Sequence, residues 1–349
     1  MEFVGHQLLR PTPQNRSCFT DLDLLKMKKV LKKALYVILS LIIVLLITGL
    51  VLAFVPVKLK TNHAGISPEE AAQLRHDFTD AHHEFVTTDG ETLFLRRWNP
   101  IHIDSSKTDI AVLIFHGFTA HSGAYDMAGK PISEGGYTTF GLDYRGHGLS
   151  GGNRGDNPGK ERWFADLAES VLYVKSLGFP RVVVLGHSLG VASAMCAANA
   201  VPEEISGLVL LSGAYEGRKG LNKPPTFFEQ ARIVSSSVFR PSHQAVEYYR
   251  EGMTVTEDPL FNFRYTLRFL TMLDVKELRL PADMDIPVLV GTGDQDELFE
   301  VEKVREFYDL IPGNQKEFLV MANTTHAKIP RESWEQVVDW LDRTFASGD

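Results

Sequence analysis

Residues 182–190 read Val-Val-Val-Leu-Gly-His-Ser-Leu-Gly, and a small-residue stretch, 191–200, follows. A short β-branched apolar run is a buried strand, and what comes after it has the composition of a packed helix. Gly186 and Gly190, placed symmetrically about Ser188, let the strand and helix backbones come almost into contact across a tight turn. The serine hydroxyl then stands above the sheet edge, beside the free N–H groups of the first helical turn, which can stabilise an anion. An ordinary strand–turn–helix crossover with an incidental serine gives the same local pattern. The two readings differ in whether the rest of the chain supplies partners for that hydroxyl.

At 349 residues the chain is long enough for one large α/β domain with additions. Short apolar strands recur at residues 110–115, 138–143, 181–185, 207–212, 287–291 and 316–321, with helical stretches near 163–177, 301–311 and 333–345. Residues 84–98 alternate around Asp89-Gly90, a hairpin signal. This alternation predicts a mostly parallel sheet with helices on both faces. Residues 214–283 break the pattern between two strands and are rich in aromatics, Phe227, Phe228, Tyr248, Phe261, Phe263 and Phe269 among them.

Residues 34–55 are 22 positions without a charge, enough for a helix to cross a bilayer core of ~30 Å. Lys26, Lys28, Lys29, Lys32 and Lys33 precede them, and only Lys58 and Lys60 follow closely. The bias predicts a cytoplasmic N-terminus and a main domain on the far side. A cleaved signal peptide starting at Met27 is the competing reading. The apolar run is too long for a usual signal core and no Ala-x-Ala site follows, so a retained single-pass signal anchor is expected. The expected organisation is a basic cytoplasmic segment (1–33), the anchor (34–55), a tether with a short helix from Ser67-Pro68 (56–82) and a main domain (83–349). Because anchor and main domain share no motif, a chain beginning near Ser67 should be soluble and active.

Net charge is −8, and residues 1–33 contribute +4, which leaves −12 on the remainder. So acidic a main domain excludes nucleic acid as a partner. Cys18 and Cys196 are the only cysteines, so there is no disulfide framework and no metal-type spacing. No cofactor motif and no metal site emerges.

If Ser188 is a nucleophile it needs a base, and the base a carboxylate to hold its tautomer. Sheet enzymes with this kind of elbow present the order Ser, Asp or Glu, His along the chain. Here Gly293-Asp294-Gln295-Asp296 follows the strand at 287–291, and Thr324-Thr325-His326 follows the strand at 316–321. Both lie at carboxyl ends of predicted strands, where open α/β sheets bind ligands. The residues by themselves leave Asp294 and Asp296 both open. The oxyanion donors should be the N–H of Leu189, just after the nucleophile, and that of Phe118, after His116-Gly117. His116, His147 and His187 are expected to make structural hydrogen bonds, and Asp143 and Arg145 to brace their loop.

The runs His116-Gly-Phe-Thr-Ala-His-Ser-Gly-Ala-Tyr125, Asp143-Tyr-Arg-Gly-His-Gly-Leu-Ser-Gly151 and Gly186-His-Ser-Leu-Gly190 resemble three signatures of one α/β-hydrolase branch. That branch holds the monoglyceride lipases and lysophospholipases and is grouped with the serine aminopeptidase-like hydrolases. The resemblance spans about 84–345. It implies an eight-stranded sheet with a cap between strands six and seven. It also implies a triad of Ser188, Asp296 and His326, with oxyanion donors at Phe118 and Leu189. Members place the acid three residues after the glycine the strand runs into; counted from Gly293 this is Asp296, whereas Asp294 fits only if Gly291 is the reference, which would cut the strand short. Two departures stand out: Val191 occupies a position usually glycine, and the anchor lies outside the pattern.

The expectation is a membrane-anchored serine ester hydrolase that forms an acyl-enzyme on Ser188. Its substrates would be small amphiphilic or acyl esters with a single chain, held under an apolar cap. A peptidase releasing N-terminal residues is the alternative, and it requires a cap carboxylate from among Glu216, Glu229, Glu247 and Glu251. A non-catalytic binder on the same scaffold is a third reading, weakened because every triad position is filled. Oligomeric state is left open.

Overall fold

The computed structural model describes residues 21–220, 224–250, 253 and 255–346, so Cys18 and Glu251 lie outside it. Helix α1 (Asp21–Ala53) is continuous over 33 residues and exposes Leu41, Leu45 and Val51. At ~1.5 Å per residue it exceeds the ~30 Å of a bilayer core, and it is long and apolar enough to cross one.

From Leu52 onward the chain forms a separate compact unit. Helix α2 (Pro68–His76) starts with a capping box: Ser67 accepts the Glu70 N–H at 3.1 Å and Glu70 accepts the Ser67 N–H at 2.7 Å. Strands β1 (His82–Val86) and β2 (Thr92–Trp98) form a hairpin, and β3 (Ile110–Phe115), α3 (Asp126–Glu134), β4 (Thr138–Leu142) and α4 (Lys160–Ser176) follow. Next come β5 (Arg181–His187), α5 (Leu189–Ala200) and β6 (Gly207–Leu211). The insertion holds α6 (Phe227–Phe239), β7 (Val246–Glu247), β8 (Arg264–Tyr265) and α7 (Leu267–Thr271). The chain then completes the sheet through β9 (Val288–Gly293), α8 (Val301–Asp309), β10 (Lys316–Met321) and α9 (Arg331–Leu341).

The sheet has eight strands in the order β1-β2-β4-β3-β5-β6-β9-β10. Only the β1–β2 and β2–β4 pairs are antiparallel. Every residue of β3, β4, β6 and β9 is buried, as a sheet covered on both faces requires. Trp163 and Leu167 of α4, Met195 of α5 and Phe307 of α8 pack on one face. Ile132 of α3 with Trp334, Val337 and Leu341 of α9 pack on the other. Helix α3 forms despite Gly129 and Pro131, which read as breakers. A Cβ at Gly129 would sit 2.3 Å from the Trp98 ring, so the glycine is what lets this helix reach the sheet.

The aromatics of the insertion divide into two sets. Phe263, Tyr265 and Phe269 are buried, whereas Phe227, Phe228 and Phe239 are exposed along α6. The first set builds the cap's own core and its contact with the sheet. Only part of the aromatic content is therefore left to wall a substrate site.

Residues 60–64, read as plain tether, are latched onto this insertion. The Glu247 carboxylate accepts the Lys60 N–H at 2.6 Å, the Thr61 N–H at 2.8 Å and the Thr61 hydroxyl at 2.6 Å. His63 Nε2 donates to the Asp258 carbonyl at 2.8 Å, and its ring meets Phe263 edge-on at 4.8 Å. Thr61 and His63 are buried. A chain beginning at Ser67 loses all of this and leaves Glu247 without its donors. Hydrogen bonds to a charged group contribute about 2 kcal/mol, so the chain starting at Ser67 should melt roughly 4–8 °C below one starting at Lys58. Calorimetry on the two soluble chains checks this, and equal melting temperatures would show that the latch contributes nothing.

Candidate active site

The turn after β5 is set by a close approach. A Cβ on Gly186 would lie 2.1 Å from the Gly190 carbonyl oxygen, and one on Gly190 would lie 2.0 Å from that of Phe115. Between them Ser188 takes φ 59°, ψ −118°, which a residue with a side chain adopts at a cost of about 1–3 kcal/mol. Its N–H donates to the Leu211 carbonyl at 3.0 Å and its carbonyl accepts the Val191 N–H at 3.0 Å. Val191 fits where glycine is usual because Gly213 stands opposite. A Cβ at Gly213 would come 2.6 Å from a Val191 methyl.

Ser188 Oγ lies 3.0 Å from His326 Nε2. His326 Nδ1 lies 3.1 and 3.2 Å from the two carboxylate oxygens of Asp296. The Asp296 side chain is fully buried. Burial opposes its charge, but hydrogen bonding and charge from His326, with the Phe299 and Leu298 amides at 3.0 and 2.8 Å, hold its carboxyl below the usual range. Asp294 is exposed and points elsewhere, accepting the Thr324 N–H at 3.1 Å. Thus Asp296, not Asp294, meets the histidine.

The N–H groups of Phe118 and Leu189 make no hydrogen bond to a described residue. The loop that carries Phe118 is tied down at the neighbouring amide. Gly117 N–H donates to the Tyr125 hydroxyl at 2.7 Å, and that hydroxyl is 2.7 Å from His187 Nδ1. Burial, then the nearby His326, lowers the His187 pKa to about 3, so its ring is neutral. His116 uses both nitrogens, Nδ1 on the Gly117 carbonyl at 2.8 Å and Nε2 accepting the Tyr144 N–H at 3.3 Å; burial lowers its pKa to about 4. Asp143 accepts the Ser122 and Leu149 amides at 2.5 and 2.7 Å. Arg145 forks onto Asp166 at 2.8 and 2.9 Å.

Two cavities meet at Ser188. One, of about 240 Å³, is lined by Val191, Met195, Tyr215, Phe299 and Phe307 among others. The other, of about 330 Å³, is lined by Phe118, His326, Tyr248, Arg250 and Glu297 among others. Glu297 also accepts the His326 N–H at 3.0 Å. Neither Arg250 nor Glu297 carried a signal in the sequence, since no motif or period marks them. Tyr125 lay inside the first signature run without a role of its own.

The cap carboxylates considered for an amine subsite are engaged elsewhere. Glu229 caps α6 through Thr226, Glu247 holds the latch, and Glu216 pairs with Lys276 at 3.5 Å beside a different cavity. Glu251 lies outside the described residues.

A sheet of this order, with a serine on the turn after its fifth strand, an acid after its seventh and a histidine after its eighth, defines the α/β-hydrolase fold. Within that class the chain belongs to the serine aminopeptidase, S33 family, whose model matches residues 106–332. It is 25% identical over 280 residues to a monoacylglycerol lipase of Mycolicibacterium smegmatis (strain ATCC 700084 / mc(2)155), covering 75% of this chain and 95% of that one. It is 33% identical over 129 residues to the monoglyceride lipase of Rattus norvegicus, covering 36% and 41% respectively. Some relatives are much longer: the chain spans 47% of the uncharacterized protein YnbC of Escherichia coli (strain K12), at 23% identity over 76% of this chain. Among solved structures, a soluble variant of monoglyceride lipase from Saccharomyces cerevisiae in complex with a substrate analog matches with TM-score 0.59. That match has 17% identity and covers 83% of this chain and 99% of that one. At that identity the likeness speaks for the fold.

The buried histidines dictate how stability depends on pH. An unfolded histidine protonates near 6.5, but in the folded chain His116 and His187 stay neutral down to about 4 and about 3. Their contribution is therefore complete above pH 6.5 and is lost as pH falls through that window, by up to ~1.4 kcal/mol per pH unit for each ring. His147, also fully buried, acts in the same direction. The melting temperature should decline steadily from pH 7 to pH 4.5. A flat profile there would show that these rings take up protons in the folded state.

Proposed function

We propose that the protein is a membrane-anchored serine ester hydrolase acting through an acyl-enzyme on Ser188. The observation that carries this is the unbroken hydrogen-bonded line Ser188–His326–Asp296, which starts on a strained turn, with the Phe118 and Leu189 N–H groups engaged by no described residue. His326 takes the Ser188 proton as the oxygen attacks the ester carbonyl, and Asp296 holds the ring tautomer and its developing charge. The N–H groups of Phe118 and Leu189 receive the oxyanion, each supplying roughly 3 kcal/mol to the transition state. His326 then protonates the departing alcohol and afterwards activates the water that releases the acid.

Single-chain acyl esters fit best, supported by the two modest cavities at Ser188 and by the monoglyceride lipases among the relatives. Of the carboxylates the peptidase reading would draw on, Glu216, Glu229 and Glu247 are engaged elsewhere. Ser188→Ala and His326→Ala should each lower kcat/KM on p-nitrophenyl esters by 10³-fold or more, on the order seen when members of such a unit are removed. Asp296→Asn should cost orders of magnitude and Asp294→Asn little. The same panel, run from acetyl to palmitoyl with aminoacyl arylamides alongside, separates esterase from peptidase. Normal turnover by a folded Ser188→Ala chain would overturn the mechanism.

Helix α1 is the anchor in this reading, with its lysines in the cytoplasm and the hydrolase unit across the membrane. The full chain should resist a carbonate wash of membranes, and protease added to intact cells or spheroplasts should digest the hydrolase unit. Complete protection of that unit would reverse the orientation.

A further inference from the structure

Glu247 and Arg264 stand opposite each other in the short antiparallel ribbon β7–β8, and both reach out to residues 60–64. The Glu247 carboxylate accepts the N–H groups of Lys60 and Thr61 and the Thr61 hydroxyl, and the Arg264 guanidinium donates to the Ala64 carbonyl. Extended chain sends alternate side chains to opposite faces. The next residues along, Tyr248 and Tyr265, therefore face the other way, and both rings pack on Phe118, at 4.7 and 4.4 Å. Tyr265 also donates to the Phe118 carbonyl at 2.7 Å.

A second line runs beside the first. His63 meets Phe263 edge-on and donates to the Asp258 carbonyl, while the Asp258 carboxylate accepts from His121, in the loop after β3. Phe261, stacked with Phe263, lines the cavity of about 330 Å³ together with Phe118, Tyr248 and Ser188. A two-stranded ribbon this short is marginal by itself, so it keeps its place through what covers its two faces. One face rests on Phe118. The other carries the latch, whose Thr61 and His63 are buried. The latch precedes the family match at 106–332, so the cap wall of this chain leans on a segment outside the family pattern.

We propose that residues 60–64 clamp the ribbon against Phe118, so that the cavity beside Ser188 keeps its cap wall, and large esters their advantage, only while the latch is seated. The proposal rests on the hydrolase reading above. The test uses the full chain in detergent micelles, with residues 60–64 either intact or replaced by a glycine–serine stretch of equal length. Two esters are compared: p-nitrophenyl decanoate, large enough to press on the cavity walls, and vinyl acetate, which needs little beyond the reacting groups. The ratio of their kcat/KM values does not depend on how much of the protein is folded, so a loss of stability alone leaves it unmoved. Replacement should lower the decanoate-to-acetate ratio about tenfold, the effect of roughly two methylenes losing their burial. Thr61→Val should lower it less, and Thr61→Ser, which keeps the hydroxyl donor, should hold it near the intact value. Glu247→Gln should lower it in the intact chain and do nothing further once the latch is replaced, because the two changes break the same contact. A ratio that replacement leaves unchanged or raises, whatever the absolute rates, overturns the proposal. Fluorophosphonate labelling of Ser188 separates the two readings. A labelled chain whose ratio ignores the latch refutes the latch's role alone, and an intact chain that is not labelled refutes the hydrolase reading and this inference with it.

Discussion

The rest of the site depends on how closely the α5 backbone comes to β5 and β3. With Gly186 against the Gly190 carbonyl and Gly190 against that of Phe115, there is no room for the chain to turn any other way, and Ser188 is driven to positive φ. The strain persists because the neighbours over-determine it. β5 lies between β3 and β6, with Gly186 opposite Phe115 and His187 opposite Leu211, and Leu211 also accepts the Ser188 N–H. The same register places the loop after Phe115 beside the start of α5. Phe118 and Leu189, from distant parts of the sequence, thereby both line cavities that reach Ser188.

Around that turn, burial sorts the titratable groups. His116, His147 and His187 are enclosed and held neutral, so they serve as fixed hydrogen-bonding posts. Asp296 is as enclosed but keeps its charge, because two amides and His326 compensate the lost water. A neutral acid there could accept less strongly from Nδ1–H, and the tautomer that leaves Nε2 free toward Ser188 would no longer be favoured. The difference between the neutral rings and the charged carboxylate lies in their partners, since all of these groups are buried.

What could be read from the sequence follows from the range of the interactions. The elbow, the alternation and the order serine, acid, histidine rest on local patterns, and all of them are visible in the residues. The choice between Asp294 and Asp296 turned on where a strand ends. β9 runs on to Gly293 rather than stopping at Gly291, because β10 pairs with it as far as Met321. No local rule shows that pairing. Helix α3 was hidden by Gly129 and Pro131, whose breaking tendency is overridden by packing on Trp98. Thr61 and Glu297 sit in segments without a period, and their contacts, with Glu247 and with the His326 N–H, are to far parts of the chain.

The latch and the cap carry this last point into function. Glu247 is pinned by Lys60 and Thr61, and the next residue, Tyr248, lays its ring 4.7 Å from that of Phe118. From the same insertion Tyr265 donates to the Phe118 carbonyl at 2.7 Å, Asn262 N–H to that of Thr119 at 2.9 Å, and Asp258 meets His121 at 3.0 Å. The cap is thus fastened on one side to the segment at 60–64 and on the other to the loop that carries Phe118. A shift of the cap that resized the cavity lined by Tyr248 would also displace Phe118, which lines the same cavity beside Ser188. In this architecture the cap and the loop after β3 share one support, so neither can be moved without acting on the other.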